Sequence, residues 1–419
     1  MKSKLLAALV ILSLMSLWGG MALAKATKIT AWWTVRKPVM DYSVSQLKIF
    51  ELAHPNIKVE LVGLPEDAVA QKLLAGAAAG IEGPDIVYID ENVFKVMVNA
   101  KVLQPIPEAV YTEKDFLEMF GSRALLYKVN GKYYGFPNGD MAAVLFYNPE
   151  MLKEYGYTPL DIPDRWDEFM VMAQKMTDLS KDIQGFPIRG REGSMWNALL
   201  YQNGGFVFNK NKKEAVFAGK PGIDAFQFLL DIYDKYKVSS RTSLSANEAF
   251  GQGKAAFVYN WTWWTGTMID SYPDISFETR VLPTPTGNPP YGSYGPDMGL
   301  FNSCTDPAKK EASWEFYKFI ISPDFQLGWG MLRGLIPFNI KAQKPEIFGK
   351  NPYRAVAEAV KHGVSYSFYP DEVGKPILST MVDKIMGGEP IAKTMQETQN
   401  EVNQILQRQW ENCFIFERS

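Results

Sequence analysis

An α/β chain with largely parallel sheets is the fold class that this sequence predicts, and two observations carry it. Short runs rich in β-branched and aromatic residues alternate with helical periodicity along nearly the whole chain. Behind its first 24 residues the chain keeps about 395 more, enough for two domains. No internal repeat or low-complexity tract interrupts the alternation.

The opening, MKSKLLAALVILSLMSLWGGMALA, has two lysines, an apolar stretch and small residues at Ala22 and Ala24. These are the three parts of a cleavable secretory signal, and cleavage is expected after Ala24. No cysteine lies near that point to take a lipid, so the expectation is a soluble periplasmic protein. Losing Lys2 and Lys4 takes the net charge from −2 to −4, which disfavours nucleic acid as a partner because nucleic acid asks for a basic stripe. Cys304 and Cys413 are too few to define a disulfide framework, and whether they meet stays open.

The elements follow in order. Lys28 to Trp33 reads as a strand, Ser43 to Ala53 as a helix broken at His54-Pro55, and Ile57 to Val62 as an alternating strand. Glu66 to Ala79 is an alanine-rich helix stopped by Gly80. Pro84 to Asp90 is a compact apolar strand ending in the polar cluster Asp90, Glu91 and Asn92. Ligands of open α/β sheets bind outside the carboxyl ends of strands, where this cluster and Trp32-Trp33 would both sit.

Lys132 to Phe136 and Ala142 to Asn148 read as strands flanking the turn Pro137-Asn138-Gly139-Asp140, a crossing between domains. Trp166 to Leu179 is an amphipathic helix with Asp164 as its expected cap. Helices follow at Ser194 to Tyr201, Pro221 to Tyr236 and Ala246 to Gln252, and Leu282 to Pro296 reads as a loop dense in proline and glycine. The remainder is mostly helix, at Pro307 to Ile321, Asn351 to Lys361, Gly374 to Met386 and Ile391 to Gln409.

Signatures of catalysis are thin. The two histidines, His54 and His362, found neither a metal cage nor a Ser-His-Asp arrangement, so no metal is expected. There is no P-loop, and Gly251-Gln252-Gly253 lacks the third glycine of a dinucleotide loop, so no cofactor is expected either. Asp90, Asp140 and Asp297 could meet as a carboxylate pair for glycoside hydrolysis, but nothing singles out a proton donor among them.

The aromatic residues are more telling. Lys254 to Trp264, KAAFVYNWTWW, is an apolar run ending in three tryptophans, and Trp32 with Trp33 closes the first strand. Indoles at strand ends suit flat ligands with apolar faces and polar rims, and sugar rings are such ligands. The competing reading is that these tryptophans fill the core, as large apolar residues usually do.

In order along the chain, LKIFELAHPNIKVELV, GAAAGIEGPDIVYID with VFKVMVNAKVLQPI, GKYYGFPNGDMAAVLFYNPEML, NEAFGQGKAAFVYNWTWW, and GPDMGLFNSCTDPAKKEASWEFYKFIISPDFQLGW followed by GLIP resemble the solute-binding proteins of ABC sugar importers, the maltose-binding-like class. The resemblance covers nearly the whole chain after Ala24. It implies two hinged α/β lobes, each a mostly parallel sheet flanked by helices, with residues 25–140 and 298–350 in lobe one and 141–297 and 351–419 in lobe two. Hinges carry over to Asn138 to Met141, Asp297 to Phe301, and Gly349 to Tyr353. It also implies a monomer without catalysis that hands a carbohydrate to membrane permease subunits.

Residue by residue, Trp263 falls at the family's stacking position, with Trp261 close enough to share the role. Trp32 and Trp33 end the first strand, and Asp90, Glu91 and Asn92 occupy the post-strand position that accepts hydroxyl protons. Asn138 and Asp140 occupy the first crossing, Asp297 the turn before the second. Arg333, ahead of Gly334-Leu335-Ile336-Pro337, fits a hydroxyl donor or a plain lobe-one surface residue, and Trp196 fits cleft or core. Val93 stands where the maltose-binding-like pattern has an arginine, a departure at the sugar site. Two rival readings remain at this stage: an anionic ligand such as a uronate or polyol phosphate, suggested by Arg36-Lys37, Arg189 and Arg191, and a secreted glycoside hydrolase.

Overall fold

The computed structural model of the protein describes residues 26–89, 93–211, 213–296, 299–365 and 374–416. Four expected ligand contacts, Asp90, Glu91, Asn92 and Asp297, lie outside the described residues, as do the expected cleavage point after Ala24 and the side chain of Cys413.

The strands in chain order are β1 (Thr27–Thr34), β2 (Ile57–Leu64), β3 (Ile86–Ile89), β4 (Lys128–Val129), β5 (Lys132–Tyr133), β6 (Gly135–Pro137), β7 (Gly139–Tyr147), β8 (Phe257–Trp261), β9 (Glu278–Arg280), β10 (Ser293–Pro296), β11 (Gly299–Asn302), β12 (Ile336–Pro337) and β13 (Val364–Ser365). They build two main sheets, each at the centre of a lobe. The first runs β2-β1-β3-β11-β6, and the second gathers β8, β9, β10 and β12 around the long β7, with β13 beyond β10. β4 and β5 form a separate hairpin.

The two-lobed α/β architecture is the expected one, but parallel pairing is less general than expected. β1 is parallel to β2 and β3, and β13 to β10, whereas β7 is antiparallel to all four of its neighbours. The crossings supply part of the reason. The chain leaves the first sheet through β6 and enters the second as β7, then returns through β10 to β11, so outgoing and returning segments run in opposite directions. They pair antiparallel in both sheets, β10 with β7 and β11 with β6.

Both sheets are covered on both faces, which is why their strands are nearly continuous apolar runs. Along β7, Ala143, Leu145 and Tyr147 enter one core with helices Trp166–Lys175, Glu192–Gln202, Lys220–Asp234 and Ile391–Phe416. Ala142, Val144 and Phe146 point the other way, towards helices Ala246–Gly251, Thr265–Ser271 and Arg354–His362. The first sheet is layered in the same manner: Ile29, Ala31 and Trp33 face one core, while Val87, Ile89 and Phe301 face another.

Several local expectations shift. The first helix begins at Lys37, six residues early, because Pro38 suits a first turn where its missing N–H costs nothing. Asp164 does not cap the helix Trp166–Lys175; its carboxylate is taken by Arg280. The tail of the predicted loop to Pro296 is strand β10, since β7 offers it an edge that no local pattern could announce. Among the described residues no helix is long and apolar enough to cross a membrane.

Candidate functional site

Neighbouring residues on a strand face opposite sides of its sheet, so Trp32 and Trp33 cannot share a role. Trp33 enters the core, 1 % exposed, with its Nε1 donating to Ser43 Oγ at 2.9 Å and its ring edge-on to Trp329 at 5.3 Å. Trp32 is half-buried on the other face. Trp196 is likewise interior, donating to the Gly222 carbonyl at 3.1 Å. Trp33, expected on the cleft wall, instead serves packing, and of the two readings open for Trp196 the core is the one the structure takes.

The end of β8 behaves differently because the aromatic run outlasts the strand. Tyr259 and Trp261 share a face by the two-residue period, and both meet Ser194: Trp261 Nε1 lies 2.9 Å from Ser194 Oγ, and the Tyr259 hydroxyl lies 2.9 Å from the same oxygen. Burial pushes the Tyr259 phenol well above its ordinary value, which keeps it a neutral partner. Trp263 lies one turn further, in Thr262–Trp264, half-buried and outside the ladder. The Arg36 guanidinium stands 4.8 Å from its ring centroid and that of Arg191 5.8 Å.

Trp263 also lines a cavity of about 190 Å³ between the lobes. One wall is Arg36 to Val39, at the start of the helix that follows β1; the opposite wall is Trp263 with Gly266, Thr267, Asp270 and Ser271; Leu332 and Arg333 close the end. Arg333 is 2 % exposed, so the surface reading of this residue is set aside. Two glycines allow the walls to approach. Gly334, at φ +64° after helix Pro323–Arg333, sits where a Cβ would come within 2.2 Å of the Thr262 carbonyl, and a Cβ on Gly266 would come within 2.6 Å of the Leu332 carbonyl.

The first crossing is occupied by structure rather than open to ligand. Asn138 is fully enclosed, and its carbonyl accepts from Phe338 N at 3.2 Å. Asp140 is held by both guanidinium nitrogens of Arg123, whose plane lies 4.6 Å from the Phe338 ring centroid and 5.6 Å from that of Tyr294. Burial pushes the Asp140 carboxyl up to about 7 against the pull of Arg123. As contacts for a ligand, Asn138 and Asp140 are therefore corrected: the first is sealed from solvent and the second is committed to Arg123. Among the described residues no group of three or more His, Cys, Asp or Glu side chains could hold a metal.

The structure thus gathers Trp263 and Arg333 with Arg36 and Asp270 at the cavity, and sets Arg191 against Trp263 and Ser194 against Trp261, four residues outside the expected ligand contacts. Asp270 was within reach of sequence reasoning, lying two helical turns after Trp263. Ser194 and Arg123 carried no local signal.

Comparison with known proteins fits this geometry. The sequence model of the family described as bacterial extracellular solute-binding protein matches residues 45–356. The chain belongs to that family. This solute-binding protein is 26% identical over 266 residues to the arabinooligosaccharide-binding protein of Bacillus subtilis, an alignment covering 62% of the chain and 60% of that relative's length. Its fold matches an ABC transporter solute-binding protein of Thermotoga lettingae bound with alpha-D-tagatose, at TM-score 0.78 and 22% identity over 91% of this chain and 100% of the other. It also matches the maltose/maltodextrin-binding domain of Bdellovibrio bacteriovorus bound to maltotriose, at TM-score 0.76 and 20% identity over 91% and 100%. Members of the family bind solutes rather than transform them, and they act outside the cytoplasm.

Proposed function

We propose that this solute-binding protein captures a carbohydrate between its lobes and delivers it, chemically unchanged, to the permease of an ABC importer. The observation that carries the reading is the interlobe cavity walled by the Trp263 indole on one side and by Arg36 on the other, with Arg333 at its closed end, a flat apolar face set among groups that donate to hydroxyls. The ligands named for the relatives and structural neighbours support the substrate class. The lobes would be residues 25–140 with 298–350 and 141–297 with 351–419, and the mature protein, cleaved after Ala24, would work as a monomer in the periplasm.

A micromolar ligand needs about 8 kcal/mol. Two or three hydrogen bonds to charged groups, at roughly 1.5 to 3 kcal/mol each, together with stacking supply that after ordering costs. Because such a ligand touches both walls, it favours the approached lobes, and only that differential moves the equilibrium. The test is a thermal-shift and tryptophan-fluorescence screen over mono- and oligosaccharides. A binding sugar present at one hundred times its Kd should stabilise the protein by about 2.7 kcal/mol and be recovered intact. Steady release of a hydrolysis product would overturn the reading.

A further inference from the structure

Two neighbouring basic side chains of the same segments have polar partners of their own. Lys37 binds Asp41, and Arg189 donates to the Ser243 carbonyl at 2.8 Å. Arg191 differs. Its guanidinium is half-buried, has no hydrogen bond or ion pair among the described residues, and packs on the face of Trp263 with the Tyr259 phenol nearby. Burial pushes it below its ordinary value, and the Tyr259 phenol nearby pulls weakly the other way.

Its surroundings increase the positive field. Arg191 is the residue before helix Glu192–Gln202, whose first turn receives no side-chain cap and whose one acid there, Glu192, accepts from the Tyr233 hydroxyl at 2.7 Å, so its amide groups add the positive end of a helix dipole. From the facing lobe Arg36 brings a second guanidinium to the same indole, at 4.8 Å. A cation held partly out of water without a counter-charge is costly unless something supplies the charge. Trp263 meanwhile fixes both guanidinium groups in place, as aromatic faces do for arginine.

We propose, building on the carbohydrate-receptor reading above, that the ligand carries an anionic oxo group, a carboxylate or a phosphate, which Arg191 and Arg36 grip beside Trp263. An arginine fork matches either group in two-point fashion. The group enters as the missing counter-charge and bridges the lobes, so the acidic ligand closes the cleft where its neutral twin leaves Arg191 uncompensated.

The experiment is a set of matched titrations on the mature protein, read by thermal shift and fluorescence: D-galacturonate against D-galactose, D-glucuronate against D-glucose with di- and trisaccharides of each, and sugar phosphates and glycerol phosphate against inorganic phosphate. The expected result is an acidic member binding roughly tenfold to a hundredfold tighter than its neutral twin, the factor of one hydrogen bond to a charged group. That preference should shrink with added salt and disappear in Arg191→Gln while Arg191→Lys keeps part of it. The uronate and phosphate arms decide which group is used. Neutral sugars binding as well as their acidic twins overturn this inference and leave the carbohydrate reading standing. No binding in any arm overturns both. Should Arg191→Gln not fold, the matched pairs and the salt dependence on the unaltered protein decide alone.

Discussion

Arg123 and Arg191 are both half-buried arginines lying over aromatic rings, and they differ in what faces them. Arg123 is closed in a two-point ion pair with Asp140 at the crossing between sheets, and its charge is spent on holding the chain. Arg191, which packs on the cavity-lining Trp263, has an indole and a helix N-terminus beside it but no ion pair among the described residues. An arginine closed in an ion pair and one packed only on rings look alike in sequence, and only the partner tells them apart.

The largest test of that contrast is stability. Asp140→Ala should cost about 3–5 kcal/mol in chemical denaturation because it strands Arg123, whereas Arg191→Ala should stay within about 1 kcal/mol of wild type. Equal costs would break the comparison. Next comes the contact that brings the walls together. Gly334→Ala forces a left-handed residue into the Thr262 carbonyl and should cost at least about 1–2 kcal/mol from backbone strain alone, with weaker ligand binding besides, measured by melting and titration. Trp263→Ala should lower ligand affinity by about 1–2 kcal/mol while the melting temperature moves little, since the ring is only half-buried.

The smallest effect is on pH. The folded-state carboxyl of Asp140 stands near 7, above the roughly 3.9 of an unfolded chain, so the native state binds the proton more tightly. Its contribution is then most favourable below about pH 4 and declines as the pH rises to about 7. Melting curves across that window should show the slope in wild type and a flatter profile in Asp140→Asn.

Much of the fold was legible because both sheets are covered on both faces. The compact apolar runs of β3, β7 and β8 announce themselves, as do the glycine that stops helix Glu66–Ala78 and the turn at the first crossing. What local pattern could not give was pairing. The antiparallel company of β7 and the strand β10 inside a proline-rich stretch depend on where the chain returns, more than a hundred residues later. The candidate site was legible in the same proportion. Trp263 stood out because the aromatic run outlasts its strand, whereas Trp33 misled because a strand pleat hides every second residue. Asp140 suited a ligand contact by residue type alone, and Arg123, which claims it, carries no mark of that pairing in its own segment.

The enclosed indoles have an optical consequence. Trp33, Trp196, Trp264 and Trp329 are nearly sealed from solvent, with Trp33 and Trp329 edge to face in one cluster, so a soluble quencher such as acrylamide cannot reach them in the folded protein. Their emission forms a constant blue background. Trp32, Trp261 and Trp263 keep partial access to water, and because Trp263 lines the cavity the quenchable fraction of the light should respond when the cavity walls move apart.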